Sequence, residues 1–523
     1  MLKFEKRQIL KNVGSSWSAL ALNVVVGIFL SPFILHHLGD AAFGIWVLIF
    51  SVTGYYGLFD LGIRSSIIRY VSKYAATDDR EKLAQFVNTA LFTYTGIGVV
   101  SMVLTALLSS SVEHFFKIPP EMHSQARLLL LMVGASVSLG FPLGVFGGML
   151  EGLQRFYILN WTSIGATLAR AVLIVYFLNR GYGLLTVAFL TVALPLLSST
   201  LRGIIVFRLC PVPLGLQHVD RASFRDMANY GGTTFVVMIA LRLRFRTDEL
   251  VLGAMMSTVA VTYFNIGSRI VDYAAEFIGA LAQVFVPMSS QSEATGDLAR
   301  VRKIYLAGNR ACAFLMLPIT AILIILGPHI IRIWVGARYI PHSYPVLVVM
   351  LIPFALMMSQ AASGRVLFGL GIHQTWAVIT VIEGVANLIL SIALVPPLGI
   401  IGDALGTAIP LSFTYLVFLP RHLKKQIGVP VGTFWREAYT LPVLLTLPLV
   451  AMLWLANRIF YPRNLIQLVL EVVAASSIYG VGLFWAYRTN RAFHVAEIAG
   501  LAQPSPPEPP PQAVVSVEYR SER

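Results

Sequence analysis

Runs of about 20 apolar residues recur along this chain from one end to the other, separated by short polar connections. As a helix, each run is long enough to cross the roughly 30 Å hydrocarbon core of a bilayer at about 1.5 Å per residue. In lipid the backbone must satisfy its own hydrogen bonds, which restricts spanning segments to helices and closed barrels. Long unbroken apolar runs select the helix. The pattern therefore predicts an all-α polytopic membrane protein with about 14 transmembrane helices. They fall near 12–36, 42–68, 84–110, 123–150, 156–178, 183–201, 228–253, 258–288, 304–327, 343–368, 374–395, 400–420, 438–457 and 464–487. Of the 523 residues, 57% are hydrophobic and 12% charged. A soluble domain carries about 25% charged residues.

The net charge of +14 belongs to the loops and is no footprint for nucleic acid. With the N-terminus placed in the cytoplasm, 24 Lys and Arg fall in inner loops and tails and six in outer loops. That bias predicts a multi-pass membrane protein with both termini cytoplasmic. The start, "MLKFEKRQILKNVG", is basic and then apolar without a small-residue cleavage site, which reads as an uncleaved first span. Two isolated cysteines, Cys210 and Cys312, make neither a disulfide framework nor a metal site. The tail beyond about 490, with "QPSPPEPPPQ" at 503–512, reads as disordered.

An internal repeat runs through the chain. Asn12 and Gly14 recur as Asn229 and Gly231, and Gly152 as Gly369, all at an offset of 217. Gly183 recurs as Gly399 and Pro195 as Pro410, at offsets of 216 and 215. An offset of six spans, an even number, gives both halves the same polarity. This is a parallel repeat about an axis along the membrane normal, with a cavity expected between the halves. The organisation expected is a six-helix lobe over 1–220, a second over 221–430, two further helices over 431–490 and a Pro-rich tail over 491–523.

Nine basic residues lie inside the spans: Arg64, Arg127, Arg170, Arg242, Arg244, Arg246, Arg269, Arg310 and Arg365. A charge at mid-span costs about 2.5–3.5 kcal/mol on insertion scales, so it faces protein or a watery cavity. In the seventh span, helical geometry puts Arg242, Arg246 and Glu249 on one arc and the i, i+4 pair Arg244 and Asp248 on another. Arg244 and Asp248 then form an ion pair, and Arg242 and Arg246 face a polar space. Structural ion pairing at the lobe contact is the competing reading of this cluster. Asp60 and Arg64 are also i, i+4 and read as a salt bridge. Arg269, Asp272 and Glu276 share one face of the eighth span, and Glu383 is an acid near the middle of the eleventh. Glu383 and Glu276 are candidate sites for a coupling ion; a hydrogen-bonded structural acid is the alternative. No catalytic constellation, nucleotide-binding glycine loop or metal-ligand cluster is present, and no cofactor is implied.

Three stretches, "LKNVGSSWSALALNVVVGIFLSPFILHHLGDAAFGIWVLIFSVTGYYGLFDLGI" (10–63), "RTDELVLGAMMSTVAVTYFNIGSRI" (246–270) and "LGPHIIRIWVGARY" (326–339), resemble the multidrug/oligosaccharidyl-lipid/polysaccharide exporter superfamily. Within it they resemble the polysaccharide-transporter branch of Wzx-like O-antigen flippases. The resemblance covers about 8–487 and implies two six-helix lobes that rock between inward- and outward-facing states. It implies as cargo a polyprenyl-diphosphate-linked oligosaccharide for O-antigen, capsule or exopolysaccharide, and as partners membrane lipids and other polysaccharide-assembly proteins. Coupling to protons or sodium goes with it. Arginine is the best partner for a diphosphate. Arg242, Arg246, Arg269 and Arg365 are thus the expected headgroup ligands. By analogy with the lipid II flippase, the last two spans would shape a groove for the lipid tail. A lipid II flippase, a drug/cation antiporter and a membrane glycan polymerase or ligase are the rival readings. The first span lacks the acid usual in antiporters, and the short outer loops leave little to build an enzyme site.

Overall fold

A computed structural model describes residues 6–228, 247–282, 285, 288, 289, 292, 297–459 and 462–489. The described residues are nearly all helical. The first half comprises α1 (Lys6–Leu38), α2 (Asp40–Gly54), α3 (Ile63–Ala76), α4 (Arg80–Ser109), α5 (His123–Gly152), α6 (Phe156–Asn179) and α7 (Leu184–Leu209). The second comprises α8 (Asp248–Met255), α9 (Thr258–Ala282), α10 (Leu298–Trp334), α11 (Ile340–Ser359), α12 (Ala361–Gly369), α13 (His373–Leu398), α14 (Ile400–Phe413) and α15 (Leu419–Ile427). The helices α16 (Val431–Ile459) and α17 (Leu465–Arg488) follow.

Twelve helical segments among the described residues are long and apolar enough to cross a membrane, and they coincide with twelve of the fourteen expected spans. The expected eighth span is α9, a 25-residue helix that carries Arg269, Asp272 and Glu276. Most of the expected seventh span lies outside the described residues, as does the Pro-rich tail.

Local chemistry repeats between the halves. Asp79 and Asp297 each cap a helix by accepting from the backbone N–H three residues on. Gln154 (φ 58°) and Gly371 (φ 68°) are both left-handed, just past helices that end at Gly152 and Gly369. Gly183 and Gly399 each precede a helix that contains a proline, Pro195 and Pro410. Packing repeats as well. The pairs α4–α5, α5–α7, α6–α7 and α1–α6 recur as α10–α11, α11–α14, α13–α14 and α8–α13.

The second span is not one continuous helix. After α2 the chain makes a tight turn over Tyr55–Asp60, and Leu61 (φ 50°) and Gly62 (φ 75°) are left-handed before α3 begins. That break cancels the i, i+4 geometry expected of Asp60 and Arg64. The Tyr94 hydroxyl donates to Asp60, and Arg64 pairs with Glu151 at 2.5 Å.

The halves meet where α2 crosses α9. A Cβ on Gly44 would run into the Thr258 carbonyl, so the crossing needs glycine there. Hydrogen bonds cluster at this end of the bundle. The Tyr339 hydroxyl and Arg338 donate to the Asp40 carboxylate at 2.5 and 3.0 Å, and the Thr262 hydroxyl donates to the Asp40 carbonyl at 2.7 Å. Lys117 donates to the Met255 carbonyl at 2.5 Å, and the Trp334 indole to the Ile28 carbonyl at 2.6 Å. This is the closed end. The helices α16 and α17 pack on α10, held by an Arg310–Glu437 ion pair at 2.9 Å and by the Tyr479 hydroxyl on the Phe314 carbonyl at 2.7 Å.

Candidate functional site

A cavity of about 550 Å³ lies between the halves. From the first half it is lined by α1, α2, α6 and α7, and from the second by α8 and α9. Two arginines reach it from opposite sides, Arg170 on α6 and Arg269 on α9. Thr167, one turn before Arg170, donates to the Asn23 side chain at 3.2 Å, which turns this face of α6 toward α1 and the cavity. The Arg170 Nε is buried and has no hydrogen-bond partner among the described residues. Arg269 lies 3.8 Å from Asp272 and stacks over the Tyr273 ring, 4.8 Å from its centroid. A Cβ on Gly27 would come within 2.6 Å of the Tyr273 hydroxyl, so α1 and α9 approach closely across the space.

A second cavity of about 330 Å³ lies inside the second half. Glu249, Arg269 and Glu276 line both cavities and stand at their junction. The inner one also reaches Asp248, Asp272 and Thr407. Behind it runs a polar chain between helices. The Thr407 hydroxyl donates to the Asp248 carboxylate at 3.0 Å and accepts from the Asn387 side-chain amide at 2.8 Å. The Ser391 hydroxyl donates to the Asn387 side-chain oxygen at 3.2 Å. Asp403 is fully buried beside Asp248, and the Ser391 hydroxyl faces it, donating to its backbone carbonyl at 3.4 Å. Glu383 is buried on the same stripe of α13, at i, i+4 and i+8 with Asn387 and Ser391. A Cβ on Gly406 would meet Ser391, so glycine lets α14 approach α13 closely enough for this contact.

The structure brings together only some of the residues expected from sequence. Arg269 and Glu276 line the central cavity. Arg365 is half-buried on α12 and does not line it. Arg242, Arg244 and Arg246 lie outside the described residues. The expected Arg244–Asp248 pair lies there too, and the contact described for Asp248 is with Thr407. Arg170 was visible as an embedded charge, but the repeat gave no reason to aim it at the cavity. Asp403 was missed, because it sits in the first turn of its helix, where an acid reads as an ordinary terminus. The polar stripe of Glu383, Asn387 and Ser391 on an apolar helix was the signal that could have found this site. No group of three or more His, Cys, Asp or Glu side chains is placed to hold a metal among the described residues.

Residues 9–293 match a family of polysaccharide biosynthesis proteins. The chain belongs to that family. It is 22% identical over 433 residues to an uncharacterized membrane protein EpsK of Bacillus subtilis, covering 81% of this chain and 84% of the relative. It is 21% identical to a putative O-antigen transporter of Shigella flexneri, covering 77% and 94% of the two chains. Among solved structures, a multidrug resistance transporter of the MATE family in an inward-facing conformation superposes with a TM-score of 0.69 at 15% identity, covering 78% of this chain and 94% of the other. The lipid II flippase MurJ in an inward closed conformation gives 0.66 at 16% identity, covering 92% and 99%. The fold of this family member is thus that of the exporter superfamily, and the chain is a multi-pass membrane protein.

Proposed function

We propose that the protein translocates a polyprenyl-diphosphate-linked oligosaccharide across the bacterial cytoplasmic membrane by alternating access. The observation that carries this reading is the central cavity, with Arg170 presented from one half and Arg269 from the other. Two guanidinium groups on opposite walls suit a diphosphate, which accepts hydrogen bonds along its length. The halves are two six-helix lobes, residues 1–220 and 221–430, each moving as a unit about the α2–α9 crossing. The excess of basic residues in alternate loops supports an orientation with the closed end at the outer face and both termini in the cytoplasm. The state described is then inward-facing, in keeping with the inward-facing MATE transporter and inward closed MurJ to which it is similar in fold. Arg242 and Arg246 of the expected seventh span, and Arg365, remain further candidates for the headgroup. A relative described as a putative O-antigen transporter supports a glycan cargo.

Uphill cycling needs a coupling ion, and the second half holds the groups for one. Two neighbouring buried carboxyls, Asp248 and Asp403, repel each other unless a proton or cation lies between them. Glu276 and Glu383 extend the acidic path toward the central cavity and along α13.

The test uses the full chain in vesicles with a fluorescent polyprenyl-diphosphate oligosaccharide. Arg170→Ala and Arg269→Ala should each lower translocation about tenfold at equal membrane abundance, the loss of one charge-assisted contact. Unchanged translocation in both variants would falsify the headgroup assignment.

A further inference from the structure

A third cavity, of about 630 Å³, lies on the outside of the first half, away from the space between the halves. Its wall is α4, from Thr89 to Val100. At 1.5 Å per residue those positions span about 16 Å along the membrane normal. The facing wall is the break after α2, with Phe59 and the left-handed Leu61. A non-glycine residue held left-handed costs about 1–2 kcal/mol, and here it sets Leu61 on the groove instead of continuing the helix. Leu61 is 41% exposed and Phe92 57%, and Gly96 has nothing within 4 Å of where a Cβ would stand, so the groove is open along its floor.

One end of this groove is charged. Asp220, Arg221 and Phe224 close it from the segment that leads into the second half. The Asp220 carboxylate is already engaged, accepting from the Ser223 N–H at 2.8 Å and the Ser223 hydroxyl at 3.0 Å. Arg221 is exposed and makes no ion pair among the described residues. The local charge on offer is therefore positive. This end packs at Thr89, nine residues into α4, and is the end nearer the Lys- and Arg-rich loop before that helix, so the proposed orientation puts it toward the cytoplasmic side.

We infer that this groove is a loading site for the polyprenyl-diphosphate cargo, with the apolar chain along α4 and the lipid-proximal phosphate at Arg221. The inference rests on the transport reading above and adds a place where cargo docks before its headgroup enters the central cavity. The shape decides for one chain beneath one anionic group. A slot bounded by a single helix on one side and Phe59, Leu61 and Phe224 on the other admits a chain end-on from the cytoplasmic leaflet. The first residue of the slot, Phe59, follows five residues after Gly54, the last residue of α2 to line the central cavity. The helices α16 and α17, expected from analogy to shape the tail groove, lie against α10 on the other half.

The experiment is photolabelling of the full chain in phosphatidylcholine vesicles with a diazirine-bearing polyprenyl phosphate, read by mass spectrometry of the labelled peptides. Adducts should fall on 89–100 and 219–224, and unlabelled polyprenyl phosphate should compete them away. Gly96→Phe fills the floor of the groove and should abolish labelling there. Arg221→Gln, at an exposed position, should weaken labelling about tenfold, the loss of one charge-assisted phosphate contact. Equal competition by a two-chain anionic phospholipid would make this an ordinary boundary-lipid groove, and labelling that ignores both substitutions would overturn the site. If labelling fails while Arg170→Ala and Arg269→Ala still lose translocation, the groove is wrong and the transport reading stands. The opposite pattern would keep a lipid-phosphate site and remove the assigned headgroup ligands.

Discussion

Glu113 lies in the connection between α4 and α5 and receives Arg127 through two guanidinium nitrogens, one of them at 3.1 Å. Hydrogen bonding from Arg127 holds its carboxyl at about 2, below the ordinary 4.5. A carboxyl with a depressed folded value contributes stability above its unfolded value and loses it as pH falls through the folded one. Glu113→Gln should therefore unfold at a lower temperature than the natural protein from pH 7 down to about pH 4.5. The gap should close as pH falls from about 4.5 toward 2. Thermal unfolding in detergent across that range checks this, and a gap that persists unchanged at pH 2 would show that the ion pair is not its source. In the sequence Arg127 is only one of nine span-embedded charges. Its partner is 14 residues away in a connection, beyond the reach of helical spacing. The Asp60–Arg64 expectation failed for the opposite reason. The spacing was right for a helix, but Leu61 and Gly62 break that helix, and only the glycine gave any warning.

Helix α2 carries most of the contact between the halves, and its first residue, Asp40, is the hub of the closed end. Tyr339, Arg338 and Thr262 all converge on it from the second half. Opening this end requires these bonds to break. Arg338 is 62% exposed, which leaves its ion pair weak. The Tyr339 contact is buried on the tyrosine side. Removing the charge with Asp40→Asn should destabilise the closed end by about 1 kcal/mol, roughly a fivefold shift toward molecules open at this end. Distances between spin labels on the outer ends of α2 and α9 would read the shift. An unchanged distance distribution would mean that the α2–α9 packing at Gly44, and not Asp40, holds the end shut. The helices themselves were legible in the sequence because a span leaves little choice of structure. Their pairings were not, since apolar faces in lipid carry no period that names a neighbour. Asp40 reads in sequence as a helix-starting acid after a glycine, and nothing there announces three partners about 220 and 300 residues away.

The two halves share a frame and differ in charge. At the repeat offsets, Asp248, Arg269, Glu276 and Asp403 of the second half correspond to Ser31, Val52, Phe59 and Val187 of the first. The fold therefore does not require these groups, and the division of labour was readable once the repeat was found. On the proposed reading, the second half holds the acidic groups, while the first half lines the central cavity with neutral residues and Arg170. An ion bound among α8, α13 and α14 acts on a two-state equilibrium only through its different affinity for the two states. Asp403 is the group to test, because it is fully buried beside a second buried carboxyl, Asp248. Asp403→Asn keeps the shape and removes one of the two repelling charges. In vesicles with an imposed sodium or proton gradient, the natural protein should accelerate translocation, and Asp403→Asn should translocate at the same rate with and without the gradient. Glu276→Gln, at the junction of the two cavities, should lower the gradient response and the basal rate together, because it borders the headgroup site as well. A gradient response that survives Asp403→Asn intact would place ion coupling elsewhere and leave the buried pair as a structural feature of the second half.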